Sequence, residues 1–168
     1  MHGAPLTAAP AAPLNESESA RVGLKRWGAL YARIAIGAAF LSSVAARFGL
    51  WGAQSSWKNF SDFTRYTAQV NSFMPAATIP VLAWAATVAE LSLGIALIVG
   101  VRLRLAAVGS AVLLALFGIA MAVSFGIKAP LDYSVFSASA GALLLASYET
   151  RHARGSSRPD TSHPHPLI

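Results

Sequence analysis

Residues 77–100, ATIPVLAWAATVAELSLGIALIVG, form an apolar run with a single carboxylate, Glu90, near its middle. About 20 such residues, rising 1.5 Å each, cross the hydrocarbon of a bilayer. An unpaired Asp, Lys or Arg at that depth costs roughly 2.5–3.5 kcal/mol or more, so such groups face a partner or a wet cavity. Glu90 therefore needs a partner, and the rest of the chain has to supply it.

The composition agrees with a membrane setting. Of 168 residues, 55% are apolar and 12% charged, with a mean hydropathy of +0.53, which leaves too little polar surface to clothe a compact domain in water. The 13 Lys and Arg outnumber the 7 Asp and Glu, but they gather at the borders of apolar runs. That arrangement is a topology signal and not a nucleic-acid surface. With no cysteine, the chain has no thiol relay, disulfide or iron–sulfur ligation of its own. Redox chemistry would need a bound cofactor or a partner protein.

Four apolar runs, at about 27–46, 78–99, 105–125 and 131–148, predict an all-α protein. The expected architecture is a transmembrane four-helix bundle over residues 25–148, between disordered tails at 1–24 and 149–168. Val44, Ala45 and Ala46 also resemble the end of a cleavable leader, but Arg33 lies close to the apolar core and the run is long enough to span. Between spans one and two, Trp57, Phe60, Phe63, Tyr66, Val70 and Phe73 recur three or four apart. Polar residues such as Lys58, Asp62 and Arg65 fall on the other side, which predicts an amphipathic helix lying flat at the interface as an aromatic anchor. A lid touching a ligand is the alternative. The turn at 100–104 is short enough to make spans two and three an antiparallel hairpin.

Lys128, Asp132 and Tyr133 form an outer-face polar group in which Asp132 is expected to cap span four. Ser134, Ser137 and Ser139 suit close packing or interhelical hydrogen bonds. His163 and His165 stand in a Pro-rich tail without a rigid scaffold, so no metal site is expected. Four spans put both ends on one side. That side holds Arg21, Lys25, Arg26, Arg102, Arg104, Arg151, Arg154 and Arg158, against Arg47, Lys58, Arg65 and Lys128 on the other, which places both termini in the cytoplasm.

With Trp27 and Gly100 as cytoplasmic borders, Arg33 lies about 9 Å deep and Glu90 about 15 Å deep. An extended arginine reaches across that difference, so the sequence predicts an intramembrane Arg33–Glu90 pair. Glu90 shares a face with Ala83, Ala86, Thr87 and Gly94, and Arg33 with Ala29 and Gly37, small residues that let two helices approach. Such a pair either fixes helix register or forms the polar end of a ligand pocket, and both readings stand at this point.

Arg33-x3-Gly37-x2-Phe40-x6-Arg47, followed by Glu90-x3-Gly94-x2-Leu97-x2-Gly100-x3-Arg104-x2-Ala107, resembles the DoxX family of small four-helix bacterial membrane proteins. The similarity covers about residues 31–146 and keeps a basic residue, Arg47, where that family usually has lysine. The resemblance implies a bundle in the bacterial inner membrane, a quinone as the small ligand, and an oxidoreductase as partner besides the membrane lipids. It implies a subunit of a redox or oxidative-stress complex, not an enzyme in its own right. A non-enzymatic scaffold or small-solute carrier with a purely structural Arg–Glu pair is the alternative.

Overall fold

A computed structural model describes residues 16–155. Within them the chain is helical throughout, with no strand. The elements are α1 (Glu16–Arg47), α2 (Phe60–Val70), α3 (Ile79–Val99), α4 (Leu103–Phe125), a short α5 (Lys128–Asp132) and α6 (Val135–Gly155). The expected tails lie outside the described residues at 1–15 and 156–168. Between them the helix runs further than expected: α1 begins at Glu16 and α6 continues to Gly155, so residues 16–24 and 149–155 extend the helices. No Pro or Gly interrupts residues 16–22, and Glu16 and Glu18 favour a helix N-terminus while Arg151 and Arg154 favour a C-terminus.

Three helices are long and apolar enough to cross a membrane, within Ala20–Arg47, Ala76–Val99 and Leu103–Phe125. The protein is an integral membrane protein on this ground. The fourth apolar helix is shorter, Val135–Glu149. Helix α1 packs along α3, and α6 along α4. The two pairs meet over a small core of Phe40, Leu97, Ala106, Ala107, Leu145 and Ala146.

Close helix approach depends on missing side chains. At the α1–α3 crossing, a Cβ on Gly37 would lie 2.8 Å from Ile98 Cγ1 and 3.1 Å from the Gly94 carbonyl oxygen. Between α4 and α6, the Phe136 ring rests directly on Gly118, and Ser139 Oγ donates to the Ala111 carbonyl at 2.8 Å. The α3–α4 turn uses Gly100 at φ 90°, whose N–H donates to the Ala96 carbonyl and closes the helix in the left-handed manner glycine permits.

Helix α2 starts where Asn59 accepts from the Asp62 backbone N–H, the N-cap interaction expected of asparagine. Its aromatic stripe does not lie on the membrane surface as an anchor. Phe63, Thr67 and Val70 are buried against the other helices, and only Phe73, beyond the helix, remains exposed. The polar group at the far end also differs from expectation. Asp132 ends α5 and pairs with Lys128 one turn back at 2.5 Å, while α6 begins after Ser134 at φ 53°. The extra turn between Pro130 and Val135 moves Asp132 away from the N-terminus of α6. Both members of that pair are exposed, as is Tyr133, so the pair contributes little.

Candidate functional site

Glu90 is 2% exposed and pairs with Arg47, also 2% exposed, and not with Arg33. Arg47 is the last residue of α1, where the chain turns through Gly49 at φ 70° and leaves the guanidinium facing the middle of α3. Its Nη2 donates to Glu90 Oε1 and to Ser43 Oγ at 3.3 Å, and its Nη1 donates to Thr87 Oγ1 at 2.8 Å. The Thr87 hydroxyl in turn donates to the Ala83 carbonyl at 2.8 Å. Above the pair, the guanidinium carbon sits 3.9 Å from the centre of the Phe63 ring, so α2 holds the cation by its π face.

Arg33 instead donates to the Ile98 carbonyl at 3.1 Å, at the last turn of α3, where a cation complements the helix dipole. The reason is register. The Gly37–Gly94 contact sets Arg33 four residues from the crossing, opposite Ile98, which lies four residues along α3. Arg47 then stands about ten residues from the crossing on the other side, level with residues near 84 and within side-chain reach of Thr87 and Glu90. Trp27 is therefore not level with Gly100, and the depth count that began there displaced α1 by about 9 Å.

The pair closes one end of a cavity of about 450 Å³. Ser43 and Arg47 come from α1, Phe63, Tyr66, Thr67 and Val70 from α2, and Leu82, Ala86 and Glu90 from α3. The opposite wall is α4, with Leu113, Phe117 and Met121. The walls are apolar and aromatic, and the charges are confined to the end at Arg47 and Glu90. Two polar atoms there, Arg47 Nε and Glu90 Oε2, have no hydrogen-bond partner among the described residues. One is a donor and the other an acceptor.

Helix α2 roofs the cavity, and its outer face is electrostatically tied down. Asp62 accepts from the Lys58 backbone N–H at 3.1 Å and pairs with Arg65; the Arg65 hydrogen bond is the main cause holding its carboxyl below the usual carboxylate range. Burial, with a smaller contribution from Tyr133, raises the Tyr66 phenol above its ordinary value, so it stays neutral. At the end of the helix, Ser124 Oγ of α4 donates to the Val70 carbonyl at 2.6 Å.

Among the described residues no group of His, Asp and Glu is arranged to hold a metal. His163 and His165 lie outside the described residues. Lys128, Asp132 and Tyr133 form no part of the cavity wall. Sequence reasoning missed Arg47 as the partner of Glu90, although the small-residue faces it identified carry the register that finds it.

One family model matches the chain, described as Methylamine utilisation protein MauE, over residues 25–132. No curated protein and no solved structure matches. The family match overturns the DoxX resemblance. The spacing behind that resemblance, a charge in each of two spans and glycines at set offsets, is what any two closely packed membrane helices require, so it does not discriminate between families.

Proposed function

The chain belongs to the MauE family, and from that premise we propose that it is a membrane subunit of a redox-linked amine-utilisation pathway with a quinone-type ligand in the cavity beneath α2. The observation that carries this reading is an apolar, aromatic-walled cavity whose charged end leaves one donor and one acceptor uncommitted. A quinone carbonyl accepts a hydrogen bond, as Arg47 Nε could satisfy, and a quinol hydroxyl donates one, as Glu90 Oε2 could accept. The bound group would supply two-electron, two-proton carrier chemistry. The chain's own residues orient its head, and α2 excludes water from it.

The amine itself fits this cavity poorly. Methylammonium is a small, strongly hydrated cation, and the carboxylate that would attract it already holds Arg47. The same reading places the protein in the bacterial inner membrane as a four-span bundle, with α6 as the fourth span and an oxidoreductase as the partner.

The test is mass spectrometry of lipids extracted from the gently purified protein. A stoichiometric quinone in the wild type, lost in a Glu90→Gln variant that still assembles, supports the reading. An intact wild-type protein that yields phospholipid but no quinone overturns it and leaves a scaffold whose Arg47–Glu90 pair only fixes helix register.

A further inference from the structure

A second, smaller cavity of about 170 Å³ lies at the other end of the molecule, between α1 and α6. Arg26, Ala29, Leu30 and Arg33 of α1 form one wall, and Tyr148 and Glu149 of α6 the other. Arg26, Ala29, Leu30 and Arg33 share one face by helical spacing. At about 30 Å³ per water, the cavity has room for a few waters or one compact polar head group.

Its depth follows from Arg33. That side chain reaches the Ile98 carbonyl and lies against Gly100, where the apolar runs of α3 and α4 meet at their turn. The hydrocarbon border passes there. Arg26 lies seven residues further out, about 10 Å along α1, at the depth of lipid head groups. Trp27 and Tyr31, both largely exposed, stand on the same stretch of α1 as interfacial aromatics do. Arg102 and Arg104 in the neighbouring turn add to the positive potential.

The charges inside the cavity are of both signs. Arg33 spends Nη2 on Ile98, and its buried Nε has no partner among the described residues. Arg26 and Glu149 form no ion pair among the described residues. A lipid carrying phosphate alone would meet the two arginines but bring its negative charge toward Glu149. A head group with a phosphate and a primary ammonium satisfies all three.

We propose that this cavity binds the head group of an aminophospholipid, its phosphodiester on Arg26 and Arg33 and its ammonium on Glu149. The site is separate from the cavity at Glu90 and does not depend on what that cavity holds.

The test is native mass spectrometry of the delipidated protein titrated with phosphatidylethanolamine, phosphatidylglycerol or soluble phosphoethanolamine. The wild type is expected to retain one phosphatidylethanolamine and to prefer it to phosphatidylglycerol by about tenfold. Glu149→Gln removes that preference while leaving phosphatidylglycerol binding intact or stronger. Arg26→Gln, at an exposed position that does not cap α3, weakens both lipids. Three results each overturn the proposal: equal retention of the two lipids by the wild type, binding unchanged in Arg26→Gln, or phosphoethanolamine binding as tightly as the lipid.

Discussion

Arg47 shows how an ion pair inside a membrane helix packing is specified by neighbours as much as by charge. Thr87, Ser43 and the Phe63 ring each occupy a different part of the guanidinium, so only one orientation meets Glu90. Removing one member of such a buried pair leaves the other uncompensated, at a cost of about 3–5 kcal/mol, whereas replacing both with apolar groups is often neutral or stabilising. Arg47→Met alone should therefore lower the thermal midpoint sharply, and Arg47→Met with Glu90→Leu should recover most of the loss. Arg33→Met removes one hydrogen bond to a helix end and should cost only about 1 kcal/mol. Equal losses for the two arginines, measured in the same detergent, would refute the assignment of Arg47. That Glu90 requires a partner is legible in the sequence, because a lone carboxylate in an apolar run has few physical alternatives. Which arginine supplies it is not legible from depth alone, because the depth of α1 depends on where its membrane border lies.

At the scale of helices, Gly37 and Gly94 carry the missing information. Two glycines with almost touching backbones fix the offset between α1 and α3, and that offset alone puts Arg33 at Ile98 and Arg47 beside Thr87. The faces were readable from spacing, but that these two glycines meet is a tertiary fact. Helix α2 follows the same pattern. Its amphipathic period is plain in the sequence, but period does not distinguish lipid from protein as the surface that receives the apolar face. The cavity between α3 and α4 is what draws Phe63 and Tyr66 inward. The outer face of α2 makes a pH test possible. Arg65 depresses the Asp62 carboxyl, so the contribution of Asp62 is fully present above the ordinary carboxylate value near 3.8 and is lost as pH falls through its lower folded value. Fluorescence of Trp57, which lines the cavity and contacts Phe63, should therefore change only under acid conditions below about pH 4. Asp62→Asn should show the acid form's signal at neutral pH. A wild-type transition near pH 6 would exclude Asp62 as its source.

For the whole molecule, the open question is whether α6 crosses the membrane. Its apolar stretch, Val135–Glu149, would rise only about 22 Å, short of the roughly 30 Å hydrocarbon thickness. Two features compensate. The helix continues to Gly155, and it lies along α4, where Phe136 covers Gly118 and Ala142, Leu145 and Ala146 are buried. A short span sheltered by a neighbour is tolerated by local thinning of the bilayer or by flanking residues reaching the interface. The charge pattern points the same way and is sharper in the folded protein than in the sequence. Arg47 counts among the basic residues of the outer side, but burial against Glu90 neutralises it, leaving Lys58, Arg65 and Lys128 against the basic residues around α1, the α3–α4 turn and the end of α6. Reporter domains fused before α1 and after α6 should accordingly both be active in the cytoplasm, and a reporter inserted between α2 and α3 should be active outside. If the fusion after α6 reports from outside while the one before α1 reports from the cytoplasm, α6 is not a span and the chain crosses three times.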